Sequence, residues 1–148
     1  MFRVITVTGL FAAAAILSWS TAASSQEKKE DKKEEKGAVI SSLKDGGKVD
    51  QSEDVEGELK TDGWPVVFVK PLDGSQPYWV QAEISEVKDK KFVASVQFGD
   101  DKSTGKKFKI IICVAATKAD AQKFMAGKTQ QTLPPGLSKS DAITVERK

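Results

Sequence analysis

The stretch Lys107–Ala115, KFKIIICVA, constrains this chain more than any other segment. Read as an extended strand, it puts Phe108, Ile110, Ile112 and Val114 on one face. The other face carries Ile111, Cys113 and Ala115. A strand that is apolar on both faces belongs in the middle of a core, covered on both sides. The period of two extends to the neighbouring segments. Val66 to Val69 is a β-rich run between Pro65 and Pro71. Tyr78 to Val87 alternates, with Tyr78, Val80, Ala82 and Ile84 pointing one way and Trp79, Gln81, Glu83 and Ser85 the other. Phe92, Ala94, Val96 and Phe98 form the inward face of the next strand, entered through the turn Lys88–Lys91. Val55–Lys60 reads as a first strand at a sheet edge, and Ala142–Arg147 as the last.

One helix interrupts the strands. Thr117 supplies a capping hydroxyl and Asp120 the acidic residue three positions later. Ala121, Phe124 and Met125 form its apolar stripe, and Gly127 supplies a left-handed end. Leu133 to Leu137, with two prolines, then crosses the surface in extended form. The expected fold is mainly β: a small antiparallel β-sandwich, Ig-like, of six to seven strands with one short helix. A partly open barrel is the alternative.

The N-terminal part is different in kind. Arg3 precedes a 14-residue, mostly apolar run, Val4–Leu17, followed by small residues from Ser20 to Ser25. This is the three-part pattern of a secretory signal, with cleavage expected after Ala23. The run is shorter than the ~20 residues that span a bilayer, so no stable membrane span is expected after cleavage. Residues 27–36 are all charged, five acidic and five basic. Their i,i+4 neighbours are all of like sign, which disfavours a helix, and no apolar residue is available to bury. The expected organisation is a signal peptide over 1–25, a disordered charged tether over 26–50 and a β-sandwich domain over 51–148. The expected location is outside the cytoplasm, periplasmic or secreted.

Composition narrows function by exclusion. The formal net charge is +2, without the basic excess of a dedicated nucleic-acid binder. The chain has no His, hence neither the commonest general base nor the commonest metal ligand near neutral pH. Cys113 is the only cysteine, so no internal disulfide forms; mid-strand, it is expected to be buried with a raised thiol pKa. Gly127-Lys128-Thr129 lacks the glycine and the preceding strand of a phosphate loop. Asp100 and Asp101, with Ser103 and Thr104, offer oxygens, but Lys102, Lys106 and Lys107 oppose a dication. Ser-x-x-Lys occurs at Ser41/Lys44, Ser85/Lys88 and Ser103/Lys106. Such a pair supports nucleophilic catalysis only where the lysine is desolvated, and each lies in a turn or loop. Ser103/Lys106 is the least unfavourable.

Trp64, Tyr78 and Trp79 remain as candidate ligand-binding residues. An outward Trp79 stacks on a sugar ring or fills a partner's pocket; packed on a second sheet, it is core instead. The order Trp79-Val80-Gln81, Phe98-Gly99, Gly105 to Phe108, Leu133-Pro134 and Ile143–Arg147 resembles small bacterial exported β-sandwich modules of unassigned function. The resemblance spans residues 55–148 and implies a fold, with no activity, cofactor or site residue attached. The expectation is an exported, non-enzymatic binding or adaptor module of the bacterial cell envelope, without catalytic residues, metal or cofactor. Its partner would be a protein or an envelope polysaccharide. The alternatives are a carbohydrate-binding domain using exposed aromatics, and an enzyme of unrecognised type built on the Ser103/Lys106 loop.

Overall fold

The structure, a computed structural model, describes residues 35–148 apart from Met125. The signal peptide expected over 1–25, residues 26–34 of the charged stretch, and Met125 of the expected helical stripe lie outside the described residues. The described chain is mainly β, with one short helix. Its strands are β1 (Ala38–Ile40), β2 (Gly47–Val49), β3 (Ser52–Leu59), β4 (Trp64–Pro71), β5 (Tyr78–Val80) and β6 (Val87–Lys88). β7 (Lys91–Gln97) and β8 (Lys107–Ala115) precede the helix α1 (Lys118–Ala121), and β9 (Thr129–Gln130), β10 (Ser138–Lys139) and β11 (Ile143–Arg147) follow it. They form two sheets, ordered β1-β3-β7-β6 and β2-β11-β8-β4-β5-β9, with β10 also pairing β8.

β8 is central to the larger sheet, as its two apolar faces require. On one side it pairs antiparallel with β4 from Trp64↔Ala115 to Pro71↔Phe108. On the other it pairs with β11 along its first half and with β10 at Cys113 and Val114. Phe108, Ile110, Ile112 and Val114 face the smaller sheet and meet Val55, Phe92, Ala94, Val96 and Phe98 in the main core. Ile111, Cys113 and Ala115 face away from it, into a second apolar cluster with Val66, Phe68 and Val80. Residues after β8 cover that cluster through Ala121, Phe124, Leu133 and Leu137, and the Phe124 ring meets Phe68 edge-on at 5.9 Å. β4 is likewise apolar on both faces. Its prolines, Pro65 and Pro71, lie outside its two-residue contact with β5, consistent with the missing N–H of proline.

Several sequence expectations meet their structure here. The Thr117 hydroxyl accepts from the Asp120 N–H at 3.1 Å, the cap expected, and donates to the Asp120 carboxylate at 2.9 Å. Gly127 has φ +74°. The helix itself is only one turn.

Other boundaries shift. The expected tether over 26–50 is too long: ordered strands begin at Ala38. Ala38 and Ile40 are buried against β3, and Val49 is buried beside β11. Short apolar islands in a polar stretch find partners that no local pattern announces. With β1 outside it, β3 is interior to its sheet rather than an edge strand. β2 pairs parallel with β11, so the larger sheet is mixed. The single strand expected over Tyr78–Val87 is broken. β5 belongs to the larger sheet and β6 to the smaller, and residues 81–86 cross between them. The strict alternation fails with it: Val80 lies in the second cluster and Ile84 in the main core. A chain that changes sheet must rotate its faces, so a fixed period cannot run through the crossing. Among the described residues, no helix is long and apolar enough to cross a membrane.

Burial lifts the Cys113 thiol from 9.0 to about 11. Below pH 9 the thiol is protonated in both folded and unfolded chains. Between about 9 and 11 only the unfolded chain ionises, so stability is lost as pH rises through that window. The wild type should lose about 2–3 kcal/mol more than Cys113→Val across it. Urea unfolding at a series of pH values measures the difference, and parallel curves for the two chains would refute the burial assignment.

Candidate binding site

Beside β5 the main core opens into a groove of about 710 Å³. Its floor is the end of that core. Val69, on β4, and Phe108, at the start of β8, both line it. Phe108 is fixed from behind by an edge-on contact with Phe98, 5.9 Å between ring centroids. The far wall is the loop Gly99–Lys106, and the near wall is Trp79 with Gln81. Strand pairing places the indole: Trp79 lies opposite Val69, so it shares the face of the larger sheet that turns toward the smaller one. Here, however, no strand of the smaller sheet covers it, and Trp79 remains 44% exposed.

The backbone around Trp79 is fully engaged. β5 lies between β4 and β9, with Trp79 opposite Val69 on one side and Thr129 on the other. The Val80 N–H donates to Lys128 O, the Gly127 N–H to Val80 O, and the Gln81 N–H to Val67 O. The Gln81 side chain then bridges the two sheets. Its Oε1 accepts from the Gln97 N–H at 2.8 Å, while its Nε2 donates to Trp79 O at 3.3 Å. Gln97 Nε2 donates in turn to Gly99 O at 3.3 Å. Both amides are therefore held in place while each keeps hydrogen-bonding capacity to spare.

The opposite loop is built around Ser103, a buried polar residue. Its hydroxyl donates to Asp100 Oδ1 at 2.8 Å and accepts from the Asp100 N–H at 3.1 Å. Lys102 N–H also donates to Asp100 Oδ1. These contacts, the Ser103 hydroxyl first, hold the Asp100 carboxyl below the usual aspartate range. Gly99 completes the turn with φ +75°, and a Cβ there would lie 2.9 Å from the Phe108 ring. Only glycine fits without displacing Ser103 or Phe108. Lys106 Nζ pairs with Asp73 at 3.2 Å and is half exposed. The Ser103/Lys106 pair considered for catalysis thus has a hydroxyl tied to a carboxylate and a lysine tied to a different one.

The structure does not unite the three aromatic candidates. Trp79 stands in the groove. Trp64 and Tyr78 pack on the opposite face of the larger sheet, against the second cluster. Trp64 Nε1 donates to Ile84 O at 3.2 Å, and the Lys118 ammonium lies 5.0 Å from its ring centroid. Tyr78 carries the Lys70 ammonium at 5.1 Å. Both are half-buried packing residues. Sequence reasoning overlooked Gln81 and Gln97 as site residues, and it considered Asp100 as an oxygen ligand for a dication rather than as part of this groove. Alternation already put Gln81 on the side of Trp79, but nothing local brings Gln97 or Asp100 to them. No family model matches the chain, and no curated protein and no solved structure is detectably similar to it.

Two measurements follow from this geometry. In Trp19→Phe/Trp64→Phe the indole of Trp79 should emit further to the red, and be quenched more readily by acrylamide, than Trp64 in Trp19→Phe/Trp79→Phe. The reverse order would make Trp79 a core residue. In Ser103→Ala, Asp100 loses the largest cause of its lowered pKa, and its carboxyl titration, followed by carbon NMR, should move up toward the ordinary aspartate value.

Proposed function

We propose that this chain is an exported, non-enzymatic binding module of the bacterial cell envelope that takes its partner in the Trp79 groove. The observation that carries the reading is an exposed indole standing over an apolar floor and ringed by fixed polar side chains. An indole left 44% exposed forgoes burial that a partner restores. The groove volume lies within the ~300–1,000 Å³ typical of ligand clefts. The signal pattern at the N-terminus supports export. The engagement of Ser103 with Asp100, and of Lys106 with Asp73, favours binding over Ser/Lys chemistry, which needs the amine free and next to the hydroxyl.

The chain enters the described domain at β1, on the far side of β3 from β7. The Gln97 end of β7 borders the groove.

Expressed with its first 25 residues in a bacterium, the chain should be recovered outside the cytoplasm with its new N-terminus at Ser24. Immobilised, it should retain a component of envelope extracts saturably. Trp79→Ala should cut retention by ~30-fold or more, the loss expected for a central aromatic contact. Trp64→Phe should not, and both variants should keep the far-ultraviolet dichroism of the wild type. Equal retention by Trp79→Ala would refute the reading.

A further inference from the structure

We infer that the Trp79 groove recognises a neutral oligosaccharide, one pyranose ring lying on the indole and its hydroxyls meeting Gln81, Gln97 and Asp100. The inference rests on the binding reading above and gives the ligand a chemical class. Three features of the groove select that class over others.

The first is its mixture of surfaces. A pyranose ring has an apolar C–H face and a rim of hydroxyls that both donate and accept. The groove offers the complement: an exposed indole with Val69 and Phe108 beneath, and two amides and a carboxylate around them. Amide groups donate and accept at one site, as hydroxyls do. Of Asp100, only Oδ1 is used by Ser103 and Lys102; among the described residues Oδ2 receives no hydrogen bond and is free to accept from a hydroxyl. The Gln81 amide is already positioned by its bonds to the Gln97 N–H and Trp79 O, and the Gln97 amide by its bond to Gly99 O, so little side-chain entropy is lost when they engage a ligand.

The second is charge. Asp73 and Lys106 neutralise each other at 3.2 Å, and Asp100 is held in its ionised form. The groove therefore carries a net negative charge with no uncommitted cation among its lining residues. That opposes phosphate, nucleic acid and acidic polysaccharide, and is compatible with a neutral, hydroxyl-rich ligand.

The third is the state of the backbone. Recognition of an extended peptide by strand addition needs an open ladder. Here β5 is paired on both sides and the Gln97 N–H is taken by the Gln81 side chain. β6 pairs β7 only at Lys91 and Phe92, and of the remaining β7 edge only Gln97 is among the lining residues, so the walls of the groove present side chains.

The test uses the full chain in the Trp19→Phe/Trp64→Phe background, where Trp79 is the reporting indole. Its fluorescence is titrated with the tetrasaccharides of β-1,4-glucose, β-1,4-N-acetylglucosamine, β-1,3-glucose and α-1,4-glucose. A heparin tetrasaccharide serves as the acidic comparison, and calorimetry on the wild type repeats each titration. At least one neutral tetrasaccharide should shift Trp79 emission saturably, while the heparin fragment does not. Trp79→Ala should weaken the calorimetric affinity by ~30-fold or more and Asp100→Asn by about tenfold. Trp64→Phe should leave it unchanged. A phage-displayed random heptapeptide library separates the two levels of the argument. If no neutral saccharide binds but selected peptides bind and lose affinity in Trp79→Ala, the saccharide assignment is overturned and the groove remains a binding site. Tighter binding of the heparin fragment than of every neutral probe also overturns it. If neither saccharides nor peptides perturb Trp79, the saccharide assignment and the groove reading fail together.

Discussion

The fold depends on a strand that cannot face water on either side. β8 carries Phe108, Ile110, Ile112 and Val114 toward one layer and Ile111, Cys113 and Ala115 toward another. Burial of each large apolar side chain contributes about 1.5–3 kcal/mol, so both faces must be covered for that gain to be realised. The smaller sheet covers one. The chain that follows β8, with its single helical turn and its proline-rich crossing, covers the other. That segment is therefore a third layer of the domain, although little of it is regular. The same demand explains β4, also apolar on both faces and paired along β8 from end to end.

The groove is a consequence of how the two sheets overlap. The larger sheet extends beyond the smaller one on the side of β5 and β9. There the inward face of the larger sheet runs out of partners, and the residue that falls in the gap is Trp79. The crossing segment 81–86 closes the rest of that flank, with Ile84 filling the core and Gln81 bonding to Gln97. What remains open is lined by polar groups that are themselves anchored. Ser103 acts in this arrangement as the internal brace of a loop, fixing Asp100, and Gly99 gives it room.

Sequence pattern was most informative where burial was two-sided or strictly alternating. β4, β7, β8 and β11 were all legible, as were the Thr117 cap and the left-handed Gly127. It was least informative where a few residues gain order from distant partners. β1, β2, β9 and β10 are two or three residues long, and their apolar content is too small to register as a period. The strand over Tyr78–Val87 misled for the opposite reason: alternation persists locally, but the chain leaves one sheet for the other midway. Of the three aromatic residues singled out, the alternation distinguished Trp79 from Tyr78. It could not distinguish a face that meets a second sheet from one that overhangs it.

By itself the sequence determined a mainly β domain with a doubly buried central strand, a single cysteine and no histidine. These follow from residue identity and short-range periodicity, which act through the local backbone. Only the tertiary structure decided that Trp79 stands in a groove, that Trp64 and Tyr78 do not share it, and that Gln81, Gln97 and Asp100 do. Those outcomes depend on the lateral offset between two packed sheets. That offset is set by contacts between residues far apart in the chain, and no local pattern encodes it.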